Sequence, residues 1–160
     1  MDLTMVRADP ARERVELQEI WQQSLPDDKF FGDDVWQDPS VETYWVRVNG
    51  VRVGFTTLQL HVTVADTYDQ DLPKEIGTMY ILITALKPGF RGQGLGTQVK
   101  HWHIDYARGR GDIRKLVSNH RRSNTASRRF NVKSGYRQVA EKPDYYPKPL
   151  EDSIVMELKL

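Results

Sequence analysis

Met79 to Leu86 form an apolar run interrupted by Tyr80 and Thr84 alone, and Lys87-Pro88-Gly89-Phe90-Arg91-Gly92-Gln93-Gly94-Leu95-Gly96-Thr97 follows at once. A run this apolar and this short reads as a strand buried on both faces. Beyond it, Leu95, Val99, Trp102 and Tyr106 are spaced four, three and four residues apart, the period of an amphipathic helix. Three glycines, Gly92, Gly94 and Gly96, therefore fall where a strand becomes a helix. Lacking a Cβ, glycines let successive backbone N–H groups converge and let a ligand come close. The helix N-terminus adds unpaired donors and partial positive charge, so the junction suits an anion such as a pyrophosphate. The other reading is a glycine-rich turn with no ligand.

Spacing excludes two phosphate loops. A P-loop needs Gly-Lys-Ser/Thr after its last glycine, whereas Gly96 is followed by Thr97-Gln98. The dinucleotide fingerprint needs G-x-G-x-x-G, whereas this chain has G-x-G-x-G. Arg91-Gly92-Gln93-Gly94-Leu95-Gly96 instead resembles the R/Q-x-x-G-x-G/A acyl-CoA loop of the GNAT superfamily of N-acetyltransferases. A second segment, Asn124 to Tyr136, is similar to that family's later helix, N-x-x-A/S-x-x-L-Y-x-K-x-G-F. It begins 28 residues after Gly96, room for a helix and a strand between them. One departure is Asn131, at the position where many members carry the tyrosine that protonates the departing CoA thiolate.

The resemblance extends over nearly the whole chain. It implies a single α/β GNAT-like domain over residues 1–160, with a mixed sheet of six to seven strands and about four helices. Its parallel strands, expected at 79–86 and 113–119, splay apart at the acyl-CoA site. It further implies that acetyl-CoA is the co-substrate and that the acetyl group passes directly to a primary amine in a ternary complex. The backbone N–H of Leu86 would meet the thioester carbonyl. Amides of Arg91, Gly92, Gln93, Gly94, Leu95, Gly96 and Thr97 would hold the pyrophosphate, and Asn124 and Ser127 the pantetheine arm. Tyr80 stands where some protein N-terminal acetyltransferases carry a catalytic tyrosine, and His120 near where they place a histidine. Such a pair would order a water that carries the proton away. The plainer readings are a core aromatic for Tyr80 and an exposed loop residue for His120. A lysine-like amine of pKa ~10.4 is only about 0.04% neutral at pH 7, against about 10% for an α-amine near ~8, a slight reason to prefer α-amines.

At 160 residues the chain can bury a core without staples, and having no cysteine it has no disulfide or thiolate metal site. His101 and His103, two apart on the expected helix, suit a solvated side better than a metal. The first residues, Met1-Asp2-Leu3-Thr4, carry neither a basic flank nor a long apolar run, and no segment reaches membrane-spanning length. A cytoplasmic protein with no membrane partner, monomeric or homodimeric, is the expectation.

The net charge of +1 conceals a division. Residues 1–80 hold 7 Lys/Arg against 15 Asp/Glu, and residues 81–160 hold 16 against 7. The basic half contains both CoA segments, and the acidic half would then face a cationic small-molecule or peptide amine. The cluster Arg114, Lys115, Arg121, Arg122, Arg128, Arg129 raises nucleic acid as a rival acceptor, but no aromatic platform accompanies it. A non-catalytic GNAT-fold protein that binds acyl-CoA or nucleic acid without turnover is the third reading.

In chain order, residues 3–8 form a strand, and Asp9-Pro10 starts a helix that ends near Ser24-Leu25-Pro26. In residues 27–40, Asp27, Asp28, Asp33, Asp34 and Asp38 alternate with Phe30, Phe31 and Trp36, which suggests either a grip on a cation or an anchored loop. Asn49-Gly50 is a hairpin turn, and a phase change from Phe55 to Leu58 places a bulge near Thr56-Thr57. Val62 and Val64 extend that alternation, and Asp66 to Lys74 is a polar loop. Tyr136–Ala140 and Ser153–Leu160 close the sheet as an antiparallel pair. Between them Pro143 to Pro149 is too rich in proline for a strand and is placed as a lid.

Overall fold

A computed structural model describes residues 2–26, 30–61 and 75–160. Asp27, Asp28, Val62, Val64 and the polar loop Asp66 to Lys74 lie outside the described residues. The elements are β1 (Leu3–Arg7), α1 (Pro10–Ser24), α2 (Asp33–Trp36), β2 (Val41–Val48), β3 (Val51–His61), β4 (Thr78–Leu86), a 3₁₀ turn (Pro88–Phe90), α3 (Leu95–Arg110), β5 (Lys115–Arg121), α4 (Thr125–Lys133), β6 (Arg137–Pro147) and β7 (Leu150–Lys159). The strands form one mixed sheet in the order β1-β2-β3-β4-β5-β7-β6. Two compact units divide the chain, Met1–Leu60 with Leu82–His103, and His61–Ile81 with Ile104–Leu160.

In the first unit, Asp9 caps α1 by accepting from the Ala11 N–H at 3.1 Å, and Glu13 reaches back to the Asp9 N–H at 2.7 Å. Proline at the first helical position loses nothing, because its N–H would have no partner there. Leu17, Ile20 and Trp21 of α1 pack with Trp36, Trp45, Phe55 and Ala85. The acidic-aromatic stretch joins this core rather than presenting open rings. Phe30 and Phe31 meet Trp21 edge-on at 5.2 and 4.9 Å, and Arg14 pairs with Asp33. Apolar burial of rings outweighs the about 0.5–1 kcal/mol of an exposed cation–π contact.

The β2–β3 hairpin turns at Asn49 and Gly50, both at positive φ (50° and 81°), as the right-handed twist of the strands requires. Its bulge falls earlier than the phase change suggests. Val46 opposes Gly54 and Arg47 opposes Arg52, so Val53 is the extra residue. From Val53 to His61 the strand is buried on both faces, which removes the alternation that would have marked the place.

In the second unit, β4 and β5 pair in parallel over three residues only, Thr78, Met79 and Tyr80 with Lys115, Leu116 and Val117. The β5–β7 register runs unbroken from Lys115↔Lys159 to Arg121↔Ser153. The buried Lys115 ammonium is held by Glu75 at 2.6 Å and Glu157 at 3.2 Å. The proline-rich segment expected as a lid is instead strand as far as Pro147. Strand β6 lies at the sheet's edge, where a proline's missing N–H costs no ladder bond, and the register with β7 shifts between Lys142 and Tyr146 to absorb the extra residues. Arg121 fastens the hairpin. Its guanidinium lies 4.4 Å from the Tyr146 ring centre and donates to the carbonyls of Lys148 and Pro149 at 3.1 and 3.0 Å.

Candidate active site

The end of β4 is fixed first. Gly54 on β3 lies so close that a Cβ there would collide with the Ala85 carbonyl oxygen and approach the Leu86 Cα to 3.1 Å. The Lys87 N–H donates to the Val53 carbonyl at 2.9 Å. Alternation along a strand then turns the Leu86 N–H to the edge of β4 away from β3. The Leu86 carbonyl accepts from Ser24 Oγ at 2.9 Å and from Arg91 Nε at 3.3 Å, and Arg91 Nη2 also donates to the Ser24 carbonyl at 2.6 Å. Ser24 is the last residue of α1. The Arg91 side chain is thus an anchor between the end of α1 and the end of β4, and its N–H, expected among the pyrophosphate donors, instead donates to the Pro88 carbonyl at 3.3 Å.

Past that anchor the chain turns with Gly92 and Gly94 at positive φ, 73° and 80°, where residues with a Cβ are strained. Among the described residues, the N–H groups of Gly92, Gln93, Gly94, Leu95, Gly96 and Thr97 donate to no protein acceptor, and the first bond into α3 is Gln98 N–H to the Gly94 carbonyl at 3.1 Å. A Cβ built on Gly92 or Gly94 would meet nothing within 4 Å. Protein packing therefore does not demand glycine there; the backbone turn does, and the open space beside it is room for a ligand. Six successive free donors at a helix start make an anion cradle. Leu95 and Val99 hold the helix by packing on Val46, Val48 and Val53, with Phe90 alongside.

Farther along α3 the buried stripe is Leu95, Val99, His103 and Ala107. His103 was expected on a solvated side; it is 2% exposed, because its Nε2 shares a 2.9 Å hydrogen bond with Thr56 Oγ1 in the interior. Thr56 in turn bonds Thr84 Oγ1 at 2.8 Å. Burial, with the Lys100 charge adding to it, pushes His103 down to about 3, so the ring stays neutral at ordinary pH. Among the described residues, no group of three or more His, Asp or Glu is arranged to hold a metal ion.

Tyr80 and His120 are not brought together. Tyr80 is in register with Val117 on β5, and register partners point their side chains to the same face. Three residues on, along an unbroken register, His120 points to the other face, with Leu116 and Ser118. The sheet lies between the two side chains, so the shared water expected for them does not fit. Tyr80 is fully buried, its hydroxyl accepts from the Glu75 N–H at 3.1 Å, and burial raises its pKa. His120 is 6% exposed and sits within β5, not on a loop. The residue that does share Tyr80's face is Asn119, whose Nδ2 donates to Tyr146 Oη at 3.1 Å and Ser153 Oγ at 3.2 Å. Sequence reasoning missed Asn119, Tyr146 and Ser24. The signal for Asn119 lay in strand parity, which needs the register before it can be read.

On α4, Asn124 is the N-cap and accepts from the Ser127 N–H at 3.1 Å. Ser127 is half-buried, and Asn131 is the one buried residue of the helix, 2% exposed. Gly135, just past α4, stands over Leu158, whose register partner is Leu116. The end of α4 therefore covers the face that carries Leu116, Ser118 and His120.

A strand, a glycine turn with free amides and a helix, in that order within a mixed sheet, define an α/β domain, and the comparisons give it a family. The model for the Acetyltransferase (GNAT) family matches residues 7–136. The chain belongs to the GNAT acetyltransferase family. Among solved structures, it is similar to the ribosomal-protein-S18-alanine N-acetyltransferase from Escherichia coli, with a TM-score of 0.75 at 18% identity over 99% of this chain and 94% of that one. It is likewise similar to NAA60 from Arabidopsis thaliana in complex with acetyl-CoA, with a TM-score of 0.74 at 16% identity over 99% and 100%. A GNAT family acetyltransferase from Elizabethkingia anophelis with acetyl-CoA bound gives 0.72 at 20% identity over 99% and 98%. At these identities the likeness is one of fold. No curated protein matches the chain.

Proposed function

We propose that the chain is an acetyl-CoA-dependent N-acetyltransferase acting on a primary amine of a small molecule or peptide. The observation that supports it best is the row of free N–H groups from Gly92 to Thr97 at the start of α3, matched to the diphosphate of an acyl-CoA. Acetyl-CoA, when bound, supplies the acetyl group as a thioester. The chain's part is to hold and orient: the cradle takes the diphosphate, the Leu86 N–H the thioester carbonyl, and Asn124 and Ser127 the pantetheine amides. Fixing thioester and amine in this way supplies much of the rate, as positioning alone removes several kcal/mol from such barriers. Of the two expected proton carriers, His120 is the better placed, since it shares a face of the sheet with α4 while the Tyr80 hydroxyl is engaged by Glu75.

The nucleic-acid reading has less support. Arg121 and Arg122 are occupied by Glu151, Glu141 and Asp152, which leaves a thinner basic surface than the sequence suggests.

The test is calorimetric and kinetic. Acetyl-CoA at a hundredfold excess over its Kd should stabilise the protein by about 2.7 kcal/mol. CoA release should follow with an amine panel, faster for α-amines than for lysine-like amines near neutral pH. Binding without turnover on any amine would favour the non-catalytic reading, and no binding would overturn the proposal.

A further inference from the structure

Between Leu86 and the first free amide lie Lys87 to Arg91, and these five residues set how far the end of β4 stands from the cradle. The carbonyls from Leu86 to Gly89 are taken one after another. Lys87 accepts from the Phe90 N–H at 2.9 Å, and Pro88 from the Arg91 N–H at 3.3 Å. Gly89 accepts from Gln93 Nε2 at 3.0 Å. These three bonds close locally, so they shape the turn without fixing where it lies. Its place is fixed by bonds to the rest of the unit. The Lys87 N–H meets Val53 on β3, and Ser24 at the end of α1 is joined twice. The Ser24 hydroxyl donates to the Leu86 carbonyl at 2.9 Å, across 62 residues of chain, and the Ser24 carbonyl accepts from Arg91 Nη2 at 2.6 Å. Arg91 Nε reaches the same Leu86 oxygen at the longer distance of 3.3 Å. Ser24 is 6% exposed, so little water competes for its hydroxyl. Helix α1 is set in the core through Leu17, Ile20 and Trp21, which makes its last residue a fixed post. Ser24, Leu86 and the cradle all belong to the first compact unit.

We propose that Ser24 is a positioning residue for the acyl donor: its hydroxyl fixes the Leu86 peptide and so sets the span from the Leu86 N–H to the cradle. The inference rests on the acetyl-CoA reading above, in which these are two of the points that hold the donor. The pantetheine arm joins thioester to diphosphate and has a limited reach. Two contacts linked through such an arm reinforce each other only when the spacing of the protein groups matches it. Ser24 itself needs no contact with the ligand, since its hydroxyl proton goes to Leu86 and its carbonyl receives Arg91. Removing the hydroxyl leaves the Leu86 carbonyl to Arg91 Nε alone, through the longer bond. The end of β4 then has more than one position, and the match of span to arm is lost. A misplaced thioester is also slower to react, because rate depends on how closely the reacting groups are held.

The test compares binding of acetyl-CoA with that of an analogue whose pantetheine arm is longer by one methylene. Wild type should prefer the natural arm. Ser24→Ala keeps α1, since alanine is the better helix former, and removes only the hydroxyl. Its affinity for acetyl-CoA should fall about fivefold, the weight of one net hydrogen bond, and its affinity for the long-arm analogue should fall less. The preference for the natural arm therefore shrinks. Ser24→Thr, which keeps the hydroxyl, should retain both the affinity and the preference. Equal losses for the two donors, or no loss for either, would show that Ser24 only supports the end of the helix. A threonine variant that behaves as the alanine variant does would assign the effect to space at the helix end and overturn the proposal. So would a wild type that binds acetyl-CoA and the analogue equally well. If wild type binds neither, the acetyltransferase reading fails, and the positioning role with it.

Discussion

Arg91 Nη2 donates to the carbonyl oxygen of Ser24 at 2.6 Å, while the hydroxyl of the same serine donates to the Leu86 carbonyl at 2.9 Å. Helix α1 has no basic residue in its last turn, and Arg91, arriving from 67 residues away, supplies the cation that its C-terminus favours. The cradle of free amides begins at the next residue.

Arg91→Gln should therefore weaken acetyl-CoA binding by loosening the loop rather than by losing a phosphate contact. The expected loss is about tenfold, close to that of one charged hydrogen bond. Titrations at several ionic strengths discriminate between the two causes. An anchoring role leaves the salt dependence of binding as in wild type, whereas a direct phosphate contact would reduce it.

Gly94 and Gly96 should respond in opposite ways. At φ 80°, Gly94→Val costs about 1–2 kcal/mol of backbone strain and places methyl groups where the diphosphate would lie. Thermal unfolding should show a folded protein whose acetyl-CoA-induced shift is lost. Gly96 has ordinary helical φ and an added Cβ meets only Leu86 Cδ1 at 4.0 Å, so Gly96→Ala should gain about 0.5–1 kcal/mol and keep its ligand shift.

Because the sheet separates Tyr80 from His120, their replacements should act independently. Single-turnover rates of Tyr80→Phe, His120→Ala and the double variant make the cycle. The double variant should lose the product of the single losses, since groups without a shared partner are additive. A double loss smaller than that product would show that one water serves both.

His103 gives the stability a pH dependence. Its folded pKa of about 3 lies well below the unfolded value near ~6.5, so below pH 6.5 the unfolded chain takes up a proton that the native chain refuses. Stability should fall by roughly 1.4 kcal/mol per pH unit between about pH 6 and pH 3, and be flat in this respect above 6.5. Urea unfolding of wild type and His103→Gln at pH 7.5 and pH 5 measures it, and the glutamine variant should lose about 2 kcal/mol less over that interval.

What the sequence by itself determined is what rests on local pattern. The apolar run of β4, the glycines at its exit, the Asp9-Pro10 start of α1, the Asn49-Gly50 turn and the helix opened by Asn124 are each set by neighbours within a few residues. The periods of strand and helix expose them directly. The run of free N–H groups from Gly92 to Thr97 was legible for the same reason, since its donors are consecutive.

What only the tertiary structure decided depends on register and on partners distant in the chain. Whether Tyr80 faces His120 or Asn119 turns on a β4–β5 register that one residue's slip would reverse, and no single strand encodes it. His103 reads as a solvated histidine until Thr56, 47 residues earlier, supplies the bond that lets it be buried. The prolines from Pro143 onward read as a lid until the strand order places β6 at an edge, where their missing N–H groups cost nothing. Asn131 reads as a lost tyrosine, and burial alone reveals that its side-chain amide lies in the interior with no acceptor among the described residues.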